Sequence, residues 1–284
     1  MTIIKKILLT IVICIQANLC ISQIVGMCTD LLGHPIPFLN VSVKNTIIGT
    51  VTNEKGVFVL KEKLLPKNDS LIFSHIEYKT KKIGFYEKDT IYVIMQPSQY
   101  LLNEVVIKPY NKIFRKQKIV GTVAKTDKVV VGFTTDNLSS EIGKLIEVKK
   151  GVTFKVEKVC FNISDFGFKK ASFRINFYNT TVDKNIESVR ANYNDIIWDV
   201  FNTGLVEIDV AKENLIFEND FLVALEWIDF TDKILINPKE EKKIKFSSWV
   251  FCGPVFYRAT NVSIWEQSKF KYNIGLGINL MVKY

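Results

Sequence analysis

Histidine is nearly absent from this chain: His34 and His75 are the only two in 284 residues. His34 lies in the Pro-flanked turn "GHPIP" and His75 in the strand-like run "LIFSHI". Neither has a partner at the H-x-x-E or H-E-x-x-H spacing that brings zinc ligands together, so no metal site is expected. Cysteine is scarce too. Of the five, Cys14 and Cys20 fall in the leading segment, and Cys28, Cys160 and Cys252 stand far apart with no C-x-x-C spacing. That excludes a redox dithiol or structural zinc knuckle of the usual kind. At most one disulfide could join two of the three, and three buried, small, apolar side chains are expected. Glycines are few and form no phosphate loop: "GLGIN" near the end sits in a strand with no helix after it. No cofactor is expected. Beyond the first 22 residues no stretch reaches 18 uninterrupted apolar residues, so no later helix is expected to span a membrane. The charge of +9 is spread along the chain rather than gathered on a helix with base-reading side chains, and nucleic acid is not an expected partner.

What the chain does have begins at its first residues. Lys5 and Lys6 precede the apolar run "ILLTIVICI", followed by "CISQ" with small residues at Cys20 and Ser22. This is the pattern of a signal peptide over 1–22, with cleavage after Ser22, so the chain is expected to be exported to the periplasm or the cell surface. Leu19 directly before Cys20 is a poor match to a lipoprotein signal.

From residue 24 to 107 the chain is a succession of short Val-, Ile- and Phe-rich segments at 24–28, 38–44, 49–52, 57–61, 70–75 and 90–95, broken by "LGHPIP", "NEKG" and "LPKNDS". "FLNVSVK" alternates, with Leu39, Val41 and Val43 on one face and Asn40, Ser42 and Lys44 on the other, as a half-buried sandwich strand does. "GTVTNEKGVFVL" reads as a hairpin whose turn is Asn53 to Gly56. With Gly26, Asp30, Pro35, Pro37, "NVSV", Gly56, Phe58 and the closing "LNEVVI", this stretch resembles the carboxypeptidase-regulatory-like domain of Bacteroidetes exported proteins. The resemblance implies a transthyretin-like, seven-stranded β-sandwich, a module often placed ahead of TonB-dependent outer-membrane transporters. One departure is Glu77 before Tyr78, where the family has Gly.

Residues 108–128 are Lys- and Arg-rich and read as a solvated basic linker. Residues 129–284 are again β-like, in "TFKVEKVCFNI", "ASFRINFYNT", "GLVEIDV", "DFLVALEWIDF", "KIKFSSWVFC" and "KYNIGLGINLMVKY". "FLVALEWI" is apolar nearly throughout, as a strand covered on both faces would be. The last run alternates like a barrel strand with a terminal aromatic, but the charged pairs and the unalternating "FLVALEWI" favour a jelly-roll-like sandwich. What remains after residue 107 is too short for a transporter barrel of about 22 strands. This region also resembles the second domain of small exported Bacteroidetes proteins.

Chemistry has few places to reside. Glu226 and Asp229 flank Trp227, a spacing that in a regular strand puts the two carboxylates on opposite faces, so a glycosidase pair is not expected without a bulge. Aromatic rings beside hydrogen-bonding groups offer a better binding hypothesis, because flat rings stack on sugar faces. Trp249, Tyr257, Arg258, Asn261 and Trp265 are the candidate ligand-binding residues, with burial in the core as the competing expectation. The chain is thus expected to be an all-β, non-catalytic envelope binding protein that recognises a glycan or an envelope protein. An assembly partner of an outer-membrane transporter or secretion system is the alternative.

Overall fold

The computed structural model describes residues 24–60, 70–84, 90–98, 114–134, 138–192, 194–232 and 243–284. The leading segment, the "LNEVVI" run and most of the basic stretch before Phe114 lie outside these residues. The first seven strands are β1 (Ile24–Thr29), β2 (Asn40–Val43), β3 (Gly49–Val51), β4 (Val57–Leu60), β5 (Ser70–His75), β6 (Tyr78–Gly84) and β7 (Thr90–Ile94). They form a three-stranded sheet, β4-β1-β7, and a four-stranded sheet, β3-β2-β5-β6. Between them lies a dry core of Cys28, Leu39, Val41, Val43, Phe58, Leu60, Leu71, Phe73, Val93 and Met95. This is the expected seven-stranded sandwich. β6 was not expected, because "YKTKKIG" is an exposed, lysine-rich edge strand with almost no apolar signal. Glu77 keeps an ordinary negative φ where the family uses Gly, so the departure carries no strain.

The hairpin turn shows why glycine is needed in this sandwich. Asn53 Oδ1 accepts from the amides of Lys55 and Val57, and Gly56 takes φ +70. A Cβ on Gly56 would stand 2.5 Å from the Cys28 carbonyl.

The second sandwich contains β8 (Gln117–Gly121), β9 (Val130–Thr134), β10 (Glu141–Ile146), β11 (Phe154–Phe166), β12 (Phe168–Thr180), β13 (Ile186–Arg190), β14 (Ile196–Val200) and β15 (Gly204–Asp209). It continues with β16 (Ile216–Phe217), β17 (Phe221–Asp232), β18 (Lys243–Trp249), β19 (Phe256–Arg258), β20 (Glu266–Gln267), β21 (Gly275–Leu276) and β22 (Ile278–Lys283). One sheet runs β13-β12-β17-β10-β19-β20, with β14 also on β12; the other is built on β21-β18-β11-β22-β8, with β9, β15 and β16 alongside. Phe133, Phe161, Phe173, Phe246 and Trp227 meet between the sheets, with edge-to-face and stacked rings 5.6 to 6.0 Å apart. The closing strand is not on a barrel: β22 lies between β11 and β8, with Ile278, Leu280 and Val282 buried in the sandwich core.

Two expectations need correction. The linker is shorter than 108–128, because β8 pairs with β22 and belongs to the second sandwich; Lys118, read as a solvated linker charge, sits over the rings of Phe154 and Tyr284. The three cysteines are free, and two are buried as expected, but Cys252 is only half-buried; burial pushes the Cys28 thiol up to about 12. Among the described residues no helix is long and apolar enough to cross a membrane.

Candidate functional site

The outer face of the β12–β17–β10–β19 sheet carries an unusual row. Strand register sets Arg258 opposite Glu141, Glu141 opposite Glu226, and Glu226 opposite Arg174. Four charged side chains therefore cross four adjacent strands in the order plus, minus, minus, plus. All four are at most 4% exposed. Isolated charges at such depth would be prohibitive, so each must be paired and hydrogen-bonded.

The pairing is dense. Arg258 donates through Nε (2.9 Å) and Nη2 (2.5 Å) to Glu141 Oε1. Its guanidinium also lies over the rings of Tyr178 (4.8 Å) and Trp265 (4.5 Å), so two aromatic faces and a carboxylate enclose it. Tyr178 Oη donates to Glu141 Oε2 at 2.9 Å. Asn176 Nδ2 bridges the two carboxylates, 2.8 Å from Glu226 and 3.2 Å from Glu141. Arg174 Nη1 reaches Glu226 at 3.1 Å, while Glu226 Oε1 has no partner among the described residues. Burial raises the Glu141 carboxyl against the lowering pull of Arg258, and the neighbouring Glu226 adds to the rise.

The first sandwich closes over this row. Arg174 Nη2 donates to the Phe38 carbonyl at 2.5 Å, and Phe38 takes φ +54, a conformation rare for a bulky residue. Asn261 accepts from Ser42 Oγ at 2.8 Å and donates to Ser74 Oγ, so one amide touches two strands of the other sandwich. His75 Nε2 lies 3.5 Å from Asp195 Oδ2, and Arg174 Nε lies 3.3 Å from the same oxygen. Arg190 holds the other oxygen at 2.7 Å. Burial alone would raise the Asp195 carboxyl, but Arg174, His75 and Arg190 hold it far below the usual carboxylate range.

Of the five residues singled out in the sequence, Asn261 belongs to the contact between sandwiches and Arg258 to the buried row. Arg258 is enclosed by Glu141, and Asn261 clasps β2 and β5. Trp265 is half-buried against Tyr178 and Arg258, with its Nε1 unpartnered. Tyr257 is exposed and donates to Glu266 at 2.9 Å, and Trp249 is half-exposed at the end of β18. The structure brings Arg258 and Trp265 together with Asn261, whose carbonyl accepts from Arg258 Nη1 at 3.1 Å. It leaves Tyr257 and Trp249 outside that group.

Glu226 and Asp229 do share a face, because a bulge in β17 sets Trp227 opposite Phe173 but Asp229 opposite Ser172. Glu226 is nonetheless engaged by Arg174 and Asn176 beneath the first sandwich. Glu141, Arg174, Asn176 and Tyr178 were missed as site residues. For the last three the signal was the alternation in "FRINFY", which sets Arg174, Asn176 and Tyr178 on one face. Elsewhere, a cleft of about 600 Å³ lies between the loops after β10, β12 and β16, lined by Lys150, Thr153, Thr181, Lys184, Glu218 and Asp220.

Comparison with known proteins bears on the first sandwich. Residues 24–107 match the CarboxypepD_reg-like domain. The TonB-dependent receptor SusC of Bacteroides thetaiotaomicron is 30% identical over 125 residues, 43% of this chain and 12% of that protein. The TonB-dependent receptor P39 of Formosa agariphila is 29% identical over 106 residues, 37% of this chain and 10% of that protein. The chain therefore aligns with only about a tenth of the length of these relatives. Among solved structures, the cysteine protease and lectin-like domains of Cwp84, a surface layer associated protein of Clostridium difficile, overlap 59% of this chain and 36% of that one. The TM-score there is 0.40 at 10% identity, which carries no argument about this chain. The match places a CarboxypepD_reg-like domain at residues 24–107.

Proposed function

We propose that the chain is a non-catalytic, exported interaction protein of the cell envelope, in which the CarboxypepD_reg-like domain docks on an outer-membrane partner and the second sandwich is its rigid support. The observation that carries this reading is the charged row. Of the groups that could have done chemistry, Glu141, Glu226 and Tyr178 are buried and engaged within the row, and the half-buried Asp195 is held by Arg174, Arg190 and, from the first sandwich, His75. The relatives that share the first domain are receptors, which supports a partner of that kind. β7, at the edge of its sheet, turns Tyr92 (77% exposed) and Ile94 (53% exposed) to solvent, and this edge is a surface a partner could use.

The test is affinity capture from detergent-solubilised envelopes, with mass spectrometry of what is retained. Capture of a TonB-dependent receptor by the intact chain, reduced at least tenfold by Tyr92→Ser with Ile94→Ser, supports the reading. Equal capture by that variant, or no receptor at all, sinks it. A second reading, glycan recognition, is favoured by the polar cleft and by the exposed rings of Tyr257 and Trp249. It requires binding on a glycan array that Tyr257→Ala or Trp249→Ala weakens.

A further inference from the structure

Two adjoining loops of the second sandwich, 249–254 after β18 and 268–274 before β21, present aromatic side chains outward. Phe251 is 76% exposed, Tyr272 56%, Phe270 51% and Trp249 50%. The loops are tied together by backbone bonds, Phe251 N to Tyr272 O at 2.9 Å and Cys252 N to Asn273 O at 3.2 Å. The Phe251 and Tyr272 rings meet edge to face, 6.3 Å apart. From beneath, the buried Lys144 donates to the Cys252 carbonyl at 2.6 Å and fixes the first loop.

This arrangement is not what folding alone would select. Phe251 and Tyr272 take φ of +58 and +69, the left-handed region that bulky side chains rarely adopt. Exposed rings return little burial for that strain. The second loop holds Lys269 and Lys271, both exposed and without an acidic partner among the described residues, while Lys271 also lies 5.2 Å from the centre of the Tyr272 ring.

From this geometry we infer a peripheral membrane contact: the 249–254 and 268–274 loops seat on an anionic phospholipid surface. Phe251, Tyr272 and their neighbours enter the headgroup region, and Lys269 and Lys271 face the lipid phosphates. Tyr and Trp rings favour that interface because one end is apolar and the other wet, Phe rings add apolar area to bury, and nearby lysines add electrostatic attraction to acidic lipids. A polysaccharide is the weaker fit. Sugar hydroxyls need converging hydrogen-bonding side chains, and "WVFCGP" supplies almost none; in the second loop the Ser268 hydroxyl already accepts from Val255 N.

The experiment is co-sedimentation of the chain beginning at Gln23, which keeps every described strand and omits the apolar leader. It is mixed with vesicles of phosphatidylglycerol and phosphatidylcholine in equal parts, or of phosphatidylcholine alone. The expected result is binding to the anionic vesicles, weaker by about fivefold for each of Lys269→Gln and Lys271→Gln. Phe251→Asn with Tyr272→Asn, which suits the left-handed backbone, should weaken it by about tenfold. Equal sedimentation with neutral vesicles, no sedimentation of the parent chain, or binding unchanged in the Asn variant overturns the inference. So does retention on an immobilised polyuronate without vesicle binding. The vesicles contain no protein, so this outcome is independent of receptor capture.

Discussion

Asp195 is the residue on which the charged contact turns, because it meets Arg174, Arg190 and His75 at once. Removing it leaves two arginines without their shared counter-ion, and Asp195→Asn should cost about 3–5 kcal/mol at neutral pH. The pH dependence follows from its depressed pKa. The contribution is complete above the unfolded carboxyl value of about 4 and is lost as pH falls towards the much lower folded value. Thermal melts of the parent and Asp195→Asn from pH 7 to pH 2 should therefore converge, with the gap closing below about pH 4. A gap that stays constant would contradict the assignment. Sequence alone could not have found Asp195, since its partners lie on three other elements and their meeting is a property of register. Arg258 and Asn261 were legible because charged and amide groups stood out among aromatics. Their roles were not, because Glu141 is 117 residues away from Arg258 and Ser42 is 219 away from Asn261.

At the scale of elements, strands with period-two patterning were readable and strands without it were not. β2 and β12 alternate in sequence and lie where it put them, but β2 is not half-buried, since the second sandwich covers Asn40 and Ser42; β6 and β8 are polar edge strands whose only signal is pairing. Close packing of strands can be tested at Gly277, between β21 and β22. Its amide donates to Ser247 O at 3.0 Å, and a Cβ there would stand 2.1 Å from that oxygen and 2.9 Å from the Ala124 methyl. Backbone cannot yield as a flexible side chain does, so Gly277→Ala should lower stability by about 1–3 kcal/mol in denaturant unfolding. Gly84→Ala is the control: among the described residues nothing lies within 4 Å of a Cβ placed there, and its midpoint should not move.

On the scale of the whole molecule, the two sandwiches should unfold as one unit, because the polar face of one is the buried floor of the other. Asn261 tests this with little disturbance to either core. Asn261→Ala removes bonds to Ser42 and Ser74 and should cost about 1–3 kcal/mol. Hydrogen exchange should then quicken together, by about tenfold, in β2 and β5 and in β11 and β22. Quickening confined to β2 and β5 would mean that the first sandwich opens on its own.

The charged row has one more consequence, which concerns how β17 finds its place. Its run "FLVALEWI" is buried on both faces, so a slip of two residues against β12 would still set apolar side chains against apolar side chains. Only Glu226 breaks that degeneracy. Shifted by two, Arg174 would face Ala224 or Ile228 and lose its counter-ion. The buried charges thus serve as an alignment mark: they admit one pairing of the long strands and reject the neighbours that hydrophobicity alone would accept.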